Sequence, residues 1–220
     1  KAMSWLIKSS IGRKFVMSIS GLFMILFLLF HMSMNLALVF SLEAYDKICE
    51  FLGANWYAVI GTLVLAAGFA VHVIYAIILT LQNRKARGKE RYESSSKTPT
   101  QWSSKNMFVL GLCILLFLIL HLYQLWFNMQ FKELIGDPTA VSKGSELIIP
   151  LFQNIWVVLV YLAAFVLLWF HLTHGFWSAL HTIGWSNKVW LKRIQVIGNI
   201  FATLILIGFS IIPIYIYFAY

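Results

Sequence analysis

Residues 15–42 read FVMSISGLFMILFLLFHMSMNLALVFSL. The run holds no Lys, Arg, Asp or Glu, and it exceeds the roughly 20 residues that cross about 30 Å of hydrocarbon as an α-helix. Its polarity does not alternate, which argues against membrane strands of about 10 residues each. Four further runs share this character: Phe51–Asn83, Asn106–Phe131, Leu147–Asn187 and Ile194–Tyr220. The whole chain is 60% hydrophobic and 11% charged, where a soluble domain is about a quarter charged. The expectation is one all-α integral membrane domain over residues 1–220, with transmembrane helices near 15–42, 56–83, 106–130, 150–184 and 194–217. A cytoplasmic polar loop, 84–105, contains Ser94-Ser95-Ser96 and Pro99. Pro150 is read as a first-turn residue of helix four. The first run is read as a retained helix, because a cleaved signal has a core of only about 7–15 residues and ends in small residues.

Charge sets the expected orientation. Five helices put the two termini on opposite sides. All basic residues except Lys47, Lys132 and Lys143 fall on the N-terminal side, whereas all acids except Glu90 and Glu93 fall on the other. The positive-inside rule then places the N-terminus in the cytoplasm and Tyr220 outside. Trp5, Trp56, Trp102, Trp126, Trp156, Trp185 and Trp190 fall at the expected interfaces, where aromatic rings concentrate. A basic inner face suits anionic lipid heads or a soluble partner, and no nucleic acid is expected. Cys49 lies in an outer loop and Cys113 in the inner half of helix three, so no disulfide is expected.

The chemistry lies in six histidines, since ionisable residues inside a membrane are functional candidates by default. Counted from the helix ends, His31 and His121 share a depth near the outside, each about ten residues from its outer end, or about 15 Å. His72 and His174 share a depth near the inside. Two imidazoles facing each other at one depth suit bis-histidine ligation of a haem iron, and inward ligands on four helices make a cofactor-holding bundle. The first four helices are therefore expected to form a di-haem bundle, with His31 and His121 on the outer iron and His72 and His174 on the inner.

Small residues fit this scheme. GLFMILFLLFH at 21–31 echoes GLCILLFLILH at 111–121, with Gly and His ten positions apart in each. Gly21 and Gly111 thus reach the inner level. Gly61 on helix two and Ala163 and Ala164 on helix four reach the outer one. Gly and Ala also serve plain helix packing in membranes. His171 competes with His174; depth favours His174 and leaves His171 to a haem propionate, a neighbouring helix or a quinone. His181, near the cytoplasmic surface, is a solvated interface residue or a propionate contact.

The markers SGLF at 20–23 leading to His31-Met32, FAVH at 69–72, HLY at 121–123, THGF at 173–176 and SALH at 178–181 stand in a specific order. In these the chain resembles the di-haem cytochrome b membrane subunit of succinate:quinone oxidoreductases, the succinate dehydrogenases and fumarate reductases, in its single-polypeptide five-helix type. The resemblance runs along essentially the whole membrane domain. It implies two haem b groups and menaquinone as electron acceptor or donor. It also implies a flavoprotein subunit and an iron–sulfur subunit on the cytoplasmic face of a bacterial inner membrane. Reaction with quinone is expected near the outer haem, with Glu50 as candidate proton carrier and Asn35, Gln124 and Asn128 as candidate hydrogen-bonding groups. Some fumarate reductases of this type carry a glutamate two residues before the haem histidine of helix four. Here that position is Leu172, which argues against a transmembrane proton path of that kind. The competing readings are the di-haem cytochrome b of a hydrogenase or formate dehydrogenase, and a haem-free proton-linked transporter; the latter lacks broken midplane helices and an inverted repeat.

The orientation is tested by labelling single cysteines in a background without Cys49 and Cys113. Thr139→Cys should react with a membrane-impermeant maleimide in intact cells and Ser95→Cys only after permeabilisation; the reverse pattern inverts the topology.

Overall fold

A computed structural model describes residues 9–87, 102–185, 187 and 189–220. Residues 1–8 and most of the loop 84–105, with Trp5, Glu90, Glu93, Ser94–Ser96 and Pro99, lie outside the described residues. Five helices are long and apolar enough to cross a membrane, and the protein is a multi-pass, all-helical membrane protein. The first span is Ser10–Phe40 and the second Trp56–Arg87. The third runs as Met107–His121 and continues through a π-helical stretch, Leu122–Phe131, into Lys132–Leu134. The fourth is Ile155–Thr182 and the fifth Trp190–Ala219. A short helix, Trp102–Lys105, precedes the third.

The ends follow local chemistry. Ser9 Oγ accepts from the Gly12 N–H at 2.9 Å and opens the first span. Ser41 ends that span, its N–H donating to Ala37 O at 2.9 Å, and its hydroxyl oxygen accepts from Ala44 N–H to start a loop helix, Leu42–Phe51. Asn154 caps the fourth span through Trp156 N–H, and Asn187 caps the fifth through Val189 and Trp190. Gly184, at φ +97°, closes the fourth span in a conformation that disfavours a side chain. An expectation changes here: Pro150 belongs to a separate loop helix, Gly144–Phe152, rather than to the fourth span. Glu50 sits near the end of the first loop helix, before the second span begins.

The first and second spans pack together, as do the first and fourth and the third and fourth, while the second and third barely touch. Spans across the diagonal, first with third and second with fourth, make almost no backbone contact. The fifth span braces the bundle from outside against the fourth and the first. It buries Ile194, Gly198, Ala202, Ile205, Phe209, Ile212 and Ile216, a single helical stripe. Glycines make the close approaches: a Cβ at Gly198 would meet the Phe176 ring, one at Gly208 the Met32 sulfur, and one at Gly68 the Phe23 ring. Small residues at interfaces are how helices associate in a medium as apolar as their own side chains. The remaining large apolar side chains, among them Leu26, Leu63, Leu116 and Ile200, face outward, as lipid requires.

On the face that carries the acids, the two loop helices dock. Asp46 accepts from the Ser145 N–H at 2.8 Å and from its hydroxyl at 2.6 Å. Gly144 leaves room for Tyr45 and Cys49. Burial pushes the Tyr45 phenol and the Cys49 thiol up, which favours the neutral thiol over the thiolate. Both cysteines are free.

The seam between the second and third spans is pinned only near its ends. Gln130 is buried with both its amide ends engaged: its Oε1 accepts from the Thr62 hydroxyl at 2.8 Å and from Trp126 Nε1 at 2.6 Å, and its Nε2 donates to Gly53 O at 2.9 Å. At the other end the Arg84 guanidinium lies over the Phe108 ring at 5.3 Å. Gln130→Leu should lower the thermal unfolding midpoint of the detergent-solubilised chain, because a buried polar group left without a partner costs about 1–3 kcal/mol. An unchanged midpoint would mean the clamp carries no stability.

Candidate functional site

Two histidine pairs cross the bundle on its two diagonals. On the first diagonal, His31 of the first span faces His121, the last α-helical residue of the third, with ring centroids 5.9 Å apart and planes at 89°. On the second, His72 of the second span faces His171 of the fourth, at 6.4 Å and 68°. The diagonal spans scarcely meet otherwise, so the imidazoles are what reach across the middle.

Counting from helix ends paired His72 with His174; the structure brings His72 to His171 instead. The reason is where the helices end. The second span was taken to stop at Asn83, the last uncharged residue, but it continues to Arg87, so His72 lies 87 − 72 = 15 residues from that end. The fourth span stops at Thr182, which leaves His171 11 residues (182 − 171) and His174 8 residues (182 − 174) from the end. His171 is therefore nearer in depth. His174 is instead in edge-to-face contact with Trp177, with ring centroids 4.9 Å apart. His181 follows at the exposed end of the span, 6.4 Å from the Trp177 ring.

Each ring of the His31 pair is held. Phe27 stacks on His31 at 5.3 Å, and Phe117 lies 5.8 Å from His121. Tyr161 is 2% exposed; its hydroxyl donates to Gln124 Oε1 at 2.9 Å, which leaves an oxygen lone pair 3.5 Å from His121 Nδ1. Asn35 Nδ2 donates to the His31 carbonyl at 2.8 Å and lies 3.4 Å from His31 Nδ1. In the second pair, the Ser20 hydroxyl donates to Met17 O at 3.0 Å and its oxygen stands 3.3 Å from His72 Nδ1. Ser20 and Tyr161 can thus each accept from an Nδ1–H. That choice of tautomer frees Nε2 as a lone-pair donor.

The two glycines of the sequence echo flank the His72 pair. A Cβ at Gly21 would stand 3.5 Å from the His72 ring, and one at Gly111 would stand 3.6 Å from the His171 ring. The echo is thereby explained in space: the first and third spans each give a histidine to one level and a glycine to the other. Ala164 is buried and Ala163 exposed. Gly61 is exposed, with nothing within 4 Å of where its Cβ would be. Glu50 is exposed on its loop helix, and Asn128 donates its amide to Tyr123 O and Gln124 O within the π-helical stretch.

A metal held between two imidazoles bonds each nitrogen at about 2 Å, which sets the ring centroids about 6 Å apart. Both pairs have that separation. Among the described residues no group of three or more His, Cys, Asp or Glu gathers as a metal cage; what the bundle holds is one pair of imidazoles at each of two levels.

Tyr161 and Ser20 were missed in the sequence, although a signal existed. Tyr161 precedes His171 by ten positions, the same interval that separates Gly21 from His31. Ser20 is next to one of the echo glycines. Compared with protein-family models, with curated proteins and with solved structures, the chain gives no match.

Proposed function

We propose that the chain is the di-haem cytochrome b membrane subunit of a succinate:quinone oxidoreductase, carrying electrons between an iron–sulfur subunit and menaquinone. The observation that carries this reading is the pair of crossed histidine diagonals, each at the ring separation that suits bis-imidazole ligation. In this proposal His31 and His121 hold one haem iron and His72 and His171 the other. The haems, when bound, supply one-electron carriage between the two levels. The residues do the rest. Ser20 and Tyr161 fix the ring tautomers, Gly21 and Gly111 leave width beside the His72 pair, and lipid-facing Leu and Ile keep water from the path.

The positive-inside rule supports the His72 level as the cytoplasmic one, beneath the basic face where a flavoprotein subunit and an iron–sulfur subunit would dock. Quinone chemistry then belongs at the His31 level. Asn35 and Gln124 bring amides there, and Glu50 offers an exposed carboxylate on the loop helix of the same face. With His171 as ligand, the position two residues earlier is Trp169; as with Leu172, no carboxylate stands there to carry protons. The membrane in question is the inner membrane of a bacterium.

The reading is tested by the dithionite-reduced spectrum and haem content of the purified protein. Two b-type haems per chain are expected. His31→Ala and His121→Ala should each remove one haem, His72→Ala and His171→Ala should each remove the other, and His174→Ala should keep both. Absence of b-type absorption from full-length protein would end the haem proposal. Co-purification with a nickel or molybdenum enzyme instead of a flavoprotein would end the succinate:quinone assignment alone.

A further inference from the structure

The polar groups of the two levels are treated differently. At the His31 level, Tyr161, Gln124 and Asn35 place hydrogen-bonding groups beside both rings. On the fourth span, toward the basic face, three buried side-chain nitrogens have no hydrogen-bond partner: His171 Nδ1, His174 Nδ1 and Trp177 Nε1. Buried polar atoms are nearly always satisfied, and each exception needs a reason. The His174 and Trp177 pair has a particular form. The rings meet edge to face at 87°, three residues apart on one helix, and both nitrogens are shielded from solvent. The indole N–H can only donate, and the imidazole Nδ1 can donate. Two unpartnered donors on rings in contact, shielded from water, suit an acceptor with two oxygens and a negative charge, such as a carboxylate.

Their depth limits which carboxylate this is. His174 and Trp177 lie three and six residues beyond His171, or about 4.5 and 9 Å along the axis toward the basic face. No Asp or Glu is present in this half of the fourth span or in the described part of the fifth. A planar ring centred between His72 and His171, standing along the bundle axis, would carry its edge substituents to that depth.

Building on the proposed haem ligation, we infer that His174 and Trp177 form a carboxylate-binding pair for the propionates of the haem held by His72 and His171, and that these propionates point to the basic face. The pair is a positioning and tuning device rather than a ligand set. Its donors offset negative charge near the iron. Their loss favours the ferric state and lowers the potential of that haem alone.

The test is a potentiometric titration of the reduced haem bands in the intact complex, comparing wild type with Trp177→Phe, His174→Leu and His174→Gln. Wild type should titrate as two components with two haems per chain. Trp177→Phe and His174→Leu should retain both haems and move one component to lower potential. His174→Gln, which keeps a donor, should restore most of the shift. Two haems with both components unmoved in Trp177→Phe and His174→Leu would overturn the inference while leaving the di-haem reading intact. Loss of one haem in His174→Leu or His174→Gln would overturn it by making His174 an iron ligand. Absence of haem from wild type would remove the parent reading and this inference together.

Discussion

An imidazole placed in hydrocarbon must find partners for both its nitrogens, because no water is there to take them. This chain puts four such rings in the middle of its bundle, two on each diagonal. The rest of the architecture follows from that demand. Helices that carry facing histidines are held apart rather than packed together. Glycines thin the walls beside one pair, and a tyrosine, an amide and a serine hydroxyl stand beside the Nδ1 atoms of His121, His31 and His72, while His171 Nδ1 has no protein partner. The paired rings face each other with centroids 5.9 and 6.4 Å apart.

Holding helices apart removes the packing that normally stabilises a bundle. The fifth span compensates. It carries no histidine, yet it is the most buried of the five, with 39% of its apolar window inside the protein, whereas the second span has none. Phe176 of the fourth span against Gly198, Met32 of the first against Gly208, and Trp169 Nε1 donating to Thr203 at 3.0 Å lock the brace in place. The division of labour is clear: one helix supplies rigidity so that the others can stand open.

The existence of the five spans was legible in the sequence because charge is excluded from hydrocarbon, and that exclusion needs no tertiary information. The level of Gly21 and Gly111, beside the His72 and His171 rings, was legible for a similar reason, since a fixed helical rise turns spacing into depth. Where charge was used to end a helix, the reading failed. Residues Arg84–Arg87 remain helical because a helix in the headgroup region tolerates charge, and the resulting error in depth selected His174 over His171. Three residues also shift a side chain by about 60° around the axis, which no count along that axis detects. The break between Phe152 and Ile155 was hidden because both sides are apolar. The π-helical stretch after His121 is a backbone feature, Leu122–Phe131, to which the Asn128 side-chain amide adds bonds to Tyr123 O and Gln124 O, and residue composition gives no sign of it.

The seam between the second and third spans gives the bundle a mechanical asymmetry. On one side the fourth, first and fifth spans are sealed by glycine contacts; on the other, Gln130 and Arg84 act as buttons at the two ends of an unfastened cloth. The bundle is thus a half-open book, its spine at the first, fourth and fifth spans and its fore-edge between the second and third, where the described residues touch mainly at head and foot.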